Sequence, residues 1–167
     1  MKKLRPGGIA VLAVIGIALL GLIALAQEGK TPEDTQVFSR GELVIETASG
    51  PLRLDVEIAR TDKQHSQGLM FRTSLDQNSG MIFIYDSPRR ISMWMKNTIL
   101  SLDMIFIGED GRIKRIVANT TPMSEATISS RGPVSAVLEL LAGAAKRLAI
   151  KPGDQIGLNG DQNGLAP

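Results

Sequence analysis

Residues 51–59 read PLRLDVEIA, and this stretch decides the fold class. Leu52, Leu54, Val56 and Ile58 fall on one side of an extended chain. Arg53, Asp55 and Glu57 fall on the other. Strict alternation marks a strand with one dry face and one wet face. The stretch before it, GELVIET, alternates in the same way around Leu43 and Ile45, and ASGP supplies turn residues between the two. Further along, GMIFIYD, ISMWM and LDMIFIG read as strands, with SPRR turning the first into the second. EDG at 109–111 is a hairpin signal into RIKRIVA. VSAVLELL follows as a strand, and KPGD at 151–154 turns into a last strand, QIGL.

Two short helices interrupt this pattern. Thr61 with Gln64 three residues on forms a capping box, and Gly68 is a C-terminal stop. AGAAKRLA is the second. Both read as caps on a β structure and not as βαβ crossovers. The expected fold is all-β or mainly β, a compact barrel or sandwich with two short capping helices.

The first residues change the meaning of the composition. MKKLRPGG carries three positive charges and no acid, and a continuous apolar run follows, ending in Ala-Leu-Ala at 24–26. A basic start, an apolar core and a small-x-small end describe a secretory signal peptide over residues 1–26. The same run, residues 8–26, approaches the length of an uncleaved membrane anchor. Either reading places the domain outside the cytoplasm, periplasmic or extracellular, with membrane contact only through that segment. Residues 27–40 read as a polar linker, 41–158 as one domain and 159–167 as a flexible tail.

The chain has 19 Lys and Arg against 17 Asp and Glu. Setting aside residues 1–26 removes Lys2, Lys3 and Arg5 and leaves 16 against 17, a net charge of −1. No footprint for nucleic acid remains. The absence of Cys excludes disulfides, thiolate metal sites and a Cys nucleophile. No cofactor is expected.

GLMFRTSL, GMIFIY, MWMKNTILSLDMIFI, DGRIKRI, VLELLAG and IKPGD occur in this order with sensible gaps. Together, over residues 52–158, they resemble the DUF192 family, also called UPF0127. The resemblance implies a compact β-barrel or sandwich with small helices, often behind an export signal, and assigns no activity. Its motif positions map here to Gly68, Leu69, Met70 and Arg72; to Trp94, Met95, Lys96, Asn97, Thr98 and Asp103; to Glu139 and Gly143; and to Gly153 and Asp154. One departure is Leu100, which stands where the family pattern usually has Pro and should loosen that turn slightly.

The candidate ligand-binding residues are Arg72, Trp94, Lys96, Asn97, Thr98, Asp103 and Glu139. Asp103 and Glu139 are acids in apolar runs, which is costly without partners. Arg72, Lys96 and the backbone of the Lys-Asn-Thr corner are the candidate partners of Asp103. Lys96, Asn97 and Thr98 carry donors for an anion or a carbonyl group, yet Asn and Thr are also ordinary turn residues. The leading expectation is a non-catalytic binding module for an unknown small molecule or envelope component, built on the 94–103 corner. A hydrolase using Asp103 or Glu139 with Lys96 is the second reading, and a passive structural or interaction domain the third.

A Cu(I) site is the last. On a regular strand Met93 and Met95 share a side and Trp94 takes the other, and thioethers favour Cu(I). His65, the only His, reads as a surface residue of a polar helix. Met residues more often fill core gaps. The purified protein is therefore expected to show no Cu(I)-dependent rise in melting temperature. A stoichiometric rise, lost on replacing Met93 and Met95 by Leu, would overturn that expectation.

Overall fold

The computed structural model describes residues 36–159. The segment expected to be a signal peptide or anchor, the expected linker up to residue 35 and the expected tail from residue 160 lie outside the described residues. Mainly β structure is observed, as the alternation requires. Seven strands form one curled sheet, a half-barrel: β1 (Ser39–Thr47), β2 (Gly50–Ala59), β3 (Ser79–Met93), β4 (Leu102–Ile107), β5 (Ile113–Val117), β6 (Ile128–Leu141) and β7 (Gln155–Asn159). Their order across the sheet is β5-β4-β6-β3-β2-β1-β7.

Alternation in β2 works as read. Leu54, Val56 and Ile58 are buried while Arg53 and Asp55 are exposed. They join an apolar core drawn from all seven strands, including Ile113 of β5 and Ile156 of β7 at the two edges. Each such side chain stabilises the fold by about 1.5–3 kcal/mol relative to leaving it in water. The opposite face carries a second core, with Leu69, Met81, Phe83, Tyr85, Met95, Met104, Phe106 and Val137. β4 is accordingly buried at every position.

Four features differ from the sequence expectation. β2 and β3 pair in parallel, so α1 (Asp62–Gln67) lies in a β-α-β crossover and is not a simple cap. Parallel neighbours need such a connection. Its capping box is present as read, with Thr61 and Gln64 bonded reciprocally. SPRR does not separate two strands. β3 runs on through it with a bulge, Ile84 facing Ala136 and Arg89 facing Val134 on β6. β6 begins at Ile128, well before Val134. Finally, β1 starts inside the expected linker, and residues before it dock on α1. The Gln36 amide donates to Gln67 Oε1 (2.9 Å), and Gln64 Nε2 donates to the Val37 carbonyl (2.8 Å).

The second helix, α2 (Ala144–Arg147), inserts Ala144 and Ala145 into the seven-strand core. At one end the sheet's edges meet. Arg112 bridges Gln155, Ile156 N–H donates to Gly111 O (2.9 Å) and Ile113 N–H to Asp154 O (3.0 Å). Gly111 has φ +70°, and an added Cβ would strike the Gln155 side-chain amide and come within 3.0 Å of the Ile156 carbonyl oxygen. Gly111→Ala is expected to destabilise the fold by about 1–3 kcal/mol through strain and overpacking. Gly157→Ala, on the same seam with open space around it, should stay within about 0.5 kcal/mol. Chemical denaturation of the two variants checks both.

Candidate functional site

β6 is the strand that places the site. Leu138 and Leu140 point to the seven-strand core, so Val137 and Glu139 take the other face. Register sets Glu139 between Met81 of β3 and Met104 of β4. The residue is only 4% exposed. Among the described residues no hydrogen-bond or ion-pair partner reaches its carboxyl. Burial alone pushes its pKa up to about 8, so the acid is mostly protonated at neutral pH.

Above Glu139 lies an open cleft of about 500 Å³ between α1 with its following loop, the bulged half of β3, and Trp94. Gly68 ends α1 at φ +46°, and a Cβ there would press on the Phe83 ring at 3.1 Å, so glycine lets the helix end close over the cleft. Tyr85, the only Tyr of the chain, lines one wall. Its hydroxyl donates to Met93 Sδ (3.6 Å). Arg89 lies over its ring with the guanidinium carbon 5.0 Å from the centroid. Burial raises the pKa of the phenol, the Glu139 charge raises it further, and Arg89 opposes both. The His65 ring packs 4.6 Å from that of Tyr85, and its Nε2 lies 3.1 Å from the Ala59 carbonyl oxygen. A carbonyl only accepts, so Nε2 carries the proton and donates.

Of the seven residues singled out from sequence, Trp94, Thr98 and Glu139 line this cleft. Trp94 is 50% exposed at its mouth, with Lys96 Nζ 5.4 Å from its ring centroid. Lys96 also approaches Glu125 at 3.9 Å. Thr98 is buried and donates to the Lys96 carbonyl (3.2 Å). Asn97 takes a left-handed φ of 54°, and its carbonyl accepts from Phe71 N–H (2.9 Å). The Lys-Asn-Thr corner is thus turn chemistry that fastens the loop after α1.

Arg72 and Asp103 lie elsewhere. Arg72 forms a two-pronged ion pair with Glu57, both bonds 2.6 Å, in a separate hollow. The hydrogen bonds from Arg72 lower the Glu57 pKa, and Glu57 raises that of Arg72. Asp103 pairs across with Leu140, on the face opposite to Glu139, and is 0% exposed. Neither Arg72 nor Lys96 is its partner. Oδ1 accepts from Asn119 N–H and Oδ2 from Ala145 N–H, each 2.9 Å, which ties the chain after β5 to the start of α2. The four charged residues Arg72, Lys96, Asp103 and Glu139 do not form one constellation.

Met93, Trp94 and Met95 do not keep the regular alternation expected of a strand. β3 ends at Met93, so Met93 and Trp94 line the same cleft. Met95 turns into the core, its sulfur accepting from Thr120 Oγ1 (3.2 Å). The two thioethers go to different partners. His65, Tyr85, Arg89 and Arg90 are cleft residues that sequence reasoning did not select. Tyr85 and Glu139 as lone polar residues in apolar strands were the available signal. Among the described residues, no three His, Cys, Asp or Glu side chains gather into a metal-holding group.

The DUF192 family model, described as an uncharacterized ACR, matches residues 44–158. The chain belongs to the DUF192 family. A crystal structure of a Sinorhizobium meliloti protein, provisionally described as a transcription regulator, is similar to this DUF192 domain. It is 45% identical with a TM-score of 0.73, and the match spans 76% of this chain and 100% of that one. A second, of a Novosphingobium aromaticivorans protein of unknown function, is 38% identical with a TM-score of 0.69, over 77% of this chain and 97% of its own. Among curated proteins none matches.

Burial of Glu139 ties the stability of this domain to pH. Its carboxyl ionises near pH 8 when folded and near 4.5 when unfolded. The fold therefore binds the proton more tightly. The resulting stability is fully present below about pH 4.5, declines as pH rises to about 8, and is gone above that. The decline is at most about 1.4 kcal/mol per pH unit. Glu139→Gln should flatten this slope in melting temperatures taken from pH 5 to 8. An unchanged slope would show that Glu139 is ionised in the fold.

Proposed function

We propose that this DUF192 domain is a non-catalytic binding module for a small ligand, with the cleft over Glu139 as its site. One observation carries the reading: a buried carboxyl without a partner faces an open cleft. Buried polar groups are ordinarily satisfied. A ligand that hydrogen-bonds Glu139 would remove the penalty that now raises its pKa. Protonated Glu139 can donate to a ligand oxygen and accept from a ligand N–H or O–H. Phe83, Tyr85 and half-exposed Trp94 offer apolar surface around it, the usual composition of small-molecule sites.

The reading shifts the centre of the site from the 94–103 corner to β6 and β3. It also leaves little for a hydrolase. Asp103 and Glu139 lie on opposite faces of the sheet, and both oxygens of Asp103 are committed to backbone amides. Asp103 and Glu139 therefore do not form an acid–base pair across the cleft. Export by the N-terminal segment is part of the proposal, which places the cleft in the periplasm or outside the cell. Nucleic acid is not a proposed partner, because the chain beyond residue 26 carries a net charge of −1.

Native mass spectrometry of the protein purified from a bacterial host, followed by a metabolite thermal-shift screen, tests the proposal. The expected result is a co-purifying mass or a stabilising compound that also changes Trp94 fluorescence, the only indole signal of the chain. Glu139→Leu should weaken binding by about tenfold or more. A bare mass and no stabilising compound would favour the passive structural domain.

A further inference from the structure

A third hollow, of about 590 Å³, lies apart from the Glu139 cleft, where the first half of β6 faces β5. Lys114 and Arg115 come from β5, and Ser130, Arg131 and Gly132 from β6. Asp110 already pairs with Lys114 at 2.7 Å. Neither Arg115 nor Arg131 has a carboxylate partner among the described residues. The two guanidinium groups nevertheless repel each other across the hollow. Burial first, and the charge of Arg131 second, push the Arg115 pKa down.

Arg115 is held through its side chain, and Arg131 through its backbone. Arg115 lies opposite Phe106 on β4, with its guanidinium carbon 5.8 Å from that ring's centroid, and donates one hydrogen bond to the Ser129 carbonyl. That anchoring leaves most of its five donors for something else. Arg131 has φ +64°, a left-handed conformation that costs an ordinary side chain about 1–2 kcal/mol. Neighbouring serines support the strained turn. Arg131 N–H donates to Ser129 Oγ (3.1 Å), and Ser130 Oγ donates to the Gly132 carbonyl (2.6 Å). A long cation in a backbone position suited to glycine, lining the same hollow as a second cation, works against stability. Such conflicts cluster at binding sites.

We propose that the Arg115–Arg131 hollow binds a phosphate-type oxyanion, which bridges the two guanidinium groups. Planar guanidinium forks match phosphate oxygens in two-pronged fashion. The anion would cancel the repulsion and supply the partner that no carboxylate of the described residues provides. Lys114 adds a third positive charge at the rim, partly neutralised by Asp110. The source of the phosphate is either a free phosphate compound or the headgroup of an anionic lipid, and the chemistry at the two arginines is the same. This site does not depend on the reading of the Glu139 cleft.

Inorganic phosphate is the first probe, titrated into the full chain in mild detergent by calorimetry at constant ionic strength, since nonspecific charge effects are screened by salt. Saturable one-to-one binding is expected, weakened about tenfold or more in Arg131→Gln. Lys63→Gln, which removes the same charge from exposed α1, should bind as the unaltered protein does. Equal weakening in both variants, or no saturable binding, would overturn the proposal. Arg131→Gly supplies a readout independent of affinity. In phosphate-free buffer it should melt higher than the parent, because strain and repulsion are both relieved; a lower melting temperature would show that Arg131 serves the fold. Flotation with phosphatidylglycerol vesicles then separates the sources. Flotation that exceeds flotation with neutral phosphatidylcholine vesicles and is lost in Arg131→Gln assigns a lipid headgroup; no such excess, with phosphate binding retained, assigns a soluble phosphate.

Discussion

The structure depends on one constraint: its central strands must be dry on both faces. β3, β4 and β6 lie in the middle of a curled sheet whose inner face packs on itself. Their outer face would be left in water by the sheet alone. α1 and the loops around residues 68–75 and 94–101 exist to cover it. Asp103 belongs to the same solution from the other side, since its buried carboxylate fastens α2 and the chain after β5 to the central strands. A carboxylate with two charge-assisted bonds to backbone amides is well satisfied, which is why it can tolerate full burial.

Cover on the outer face is incomplete at one place, and that place is the Glu139 cleft. The β3 bulge swings the strand away from β6 between Ile84 and Arg89, so Tyr85 and the arginines after it form a wall instead of a flat sheet edge. An apolar residue at position 139 would fit Met81, Met104 and Val137 better than a glutamate does. The acid thus works against packing in the same way that the left-handed Arg131 works against backbone preference. Neither side chain gains a charged partner among the described residues in return for the local rule it breaks, and such breaks concentrate at functional positions.

Much of this was legible in residue order. Leu52, Leu54, Val56 and Ile58 announced β2, Thr61 and Gln64 announced α1, and the acidic residues of two apolar strands were visible as misfits. The expected barrel or sandwich of mainly β class agrees with the half-barrel, and the resemblance to DUF192 holds over residues 44–158. What stayed hidden was everything set between strands. A period of two assigns sides within a strand but not which side of the sheet two strands share. Asp103 and Glu139 looked like possible neighbours, and register put them on opposite faces. The parallel pairing of β2 with β3 and the bulge at SPRR are likewise choices of tertiary contact. His65 does stand on a polar helix with no buried residue, but the contact of its ring with Tyr85 could not be read from residue order.

The neighbour relation between β1 and β7 has a temporal consequence. β1 pairs with β2 at once, by a tight hairpin, but its other edge is filled by a strand more than 100 residues later. During synthesis the sheet therefore cannot complete its curl until the final strand has emerged. Contacts of such long sequence separation also slow the search for the native state. A chain held open in this way stays unfolded for longer after it is made, with the free edge of β1 waiting for its last partner.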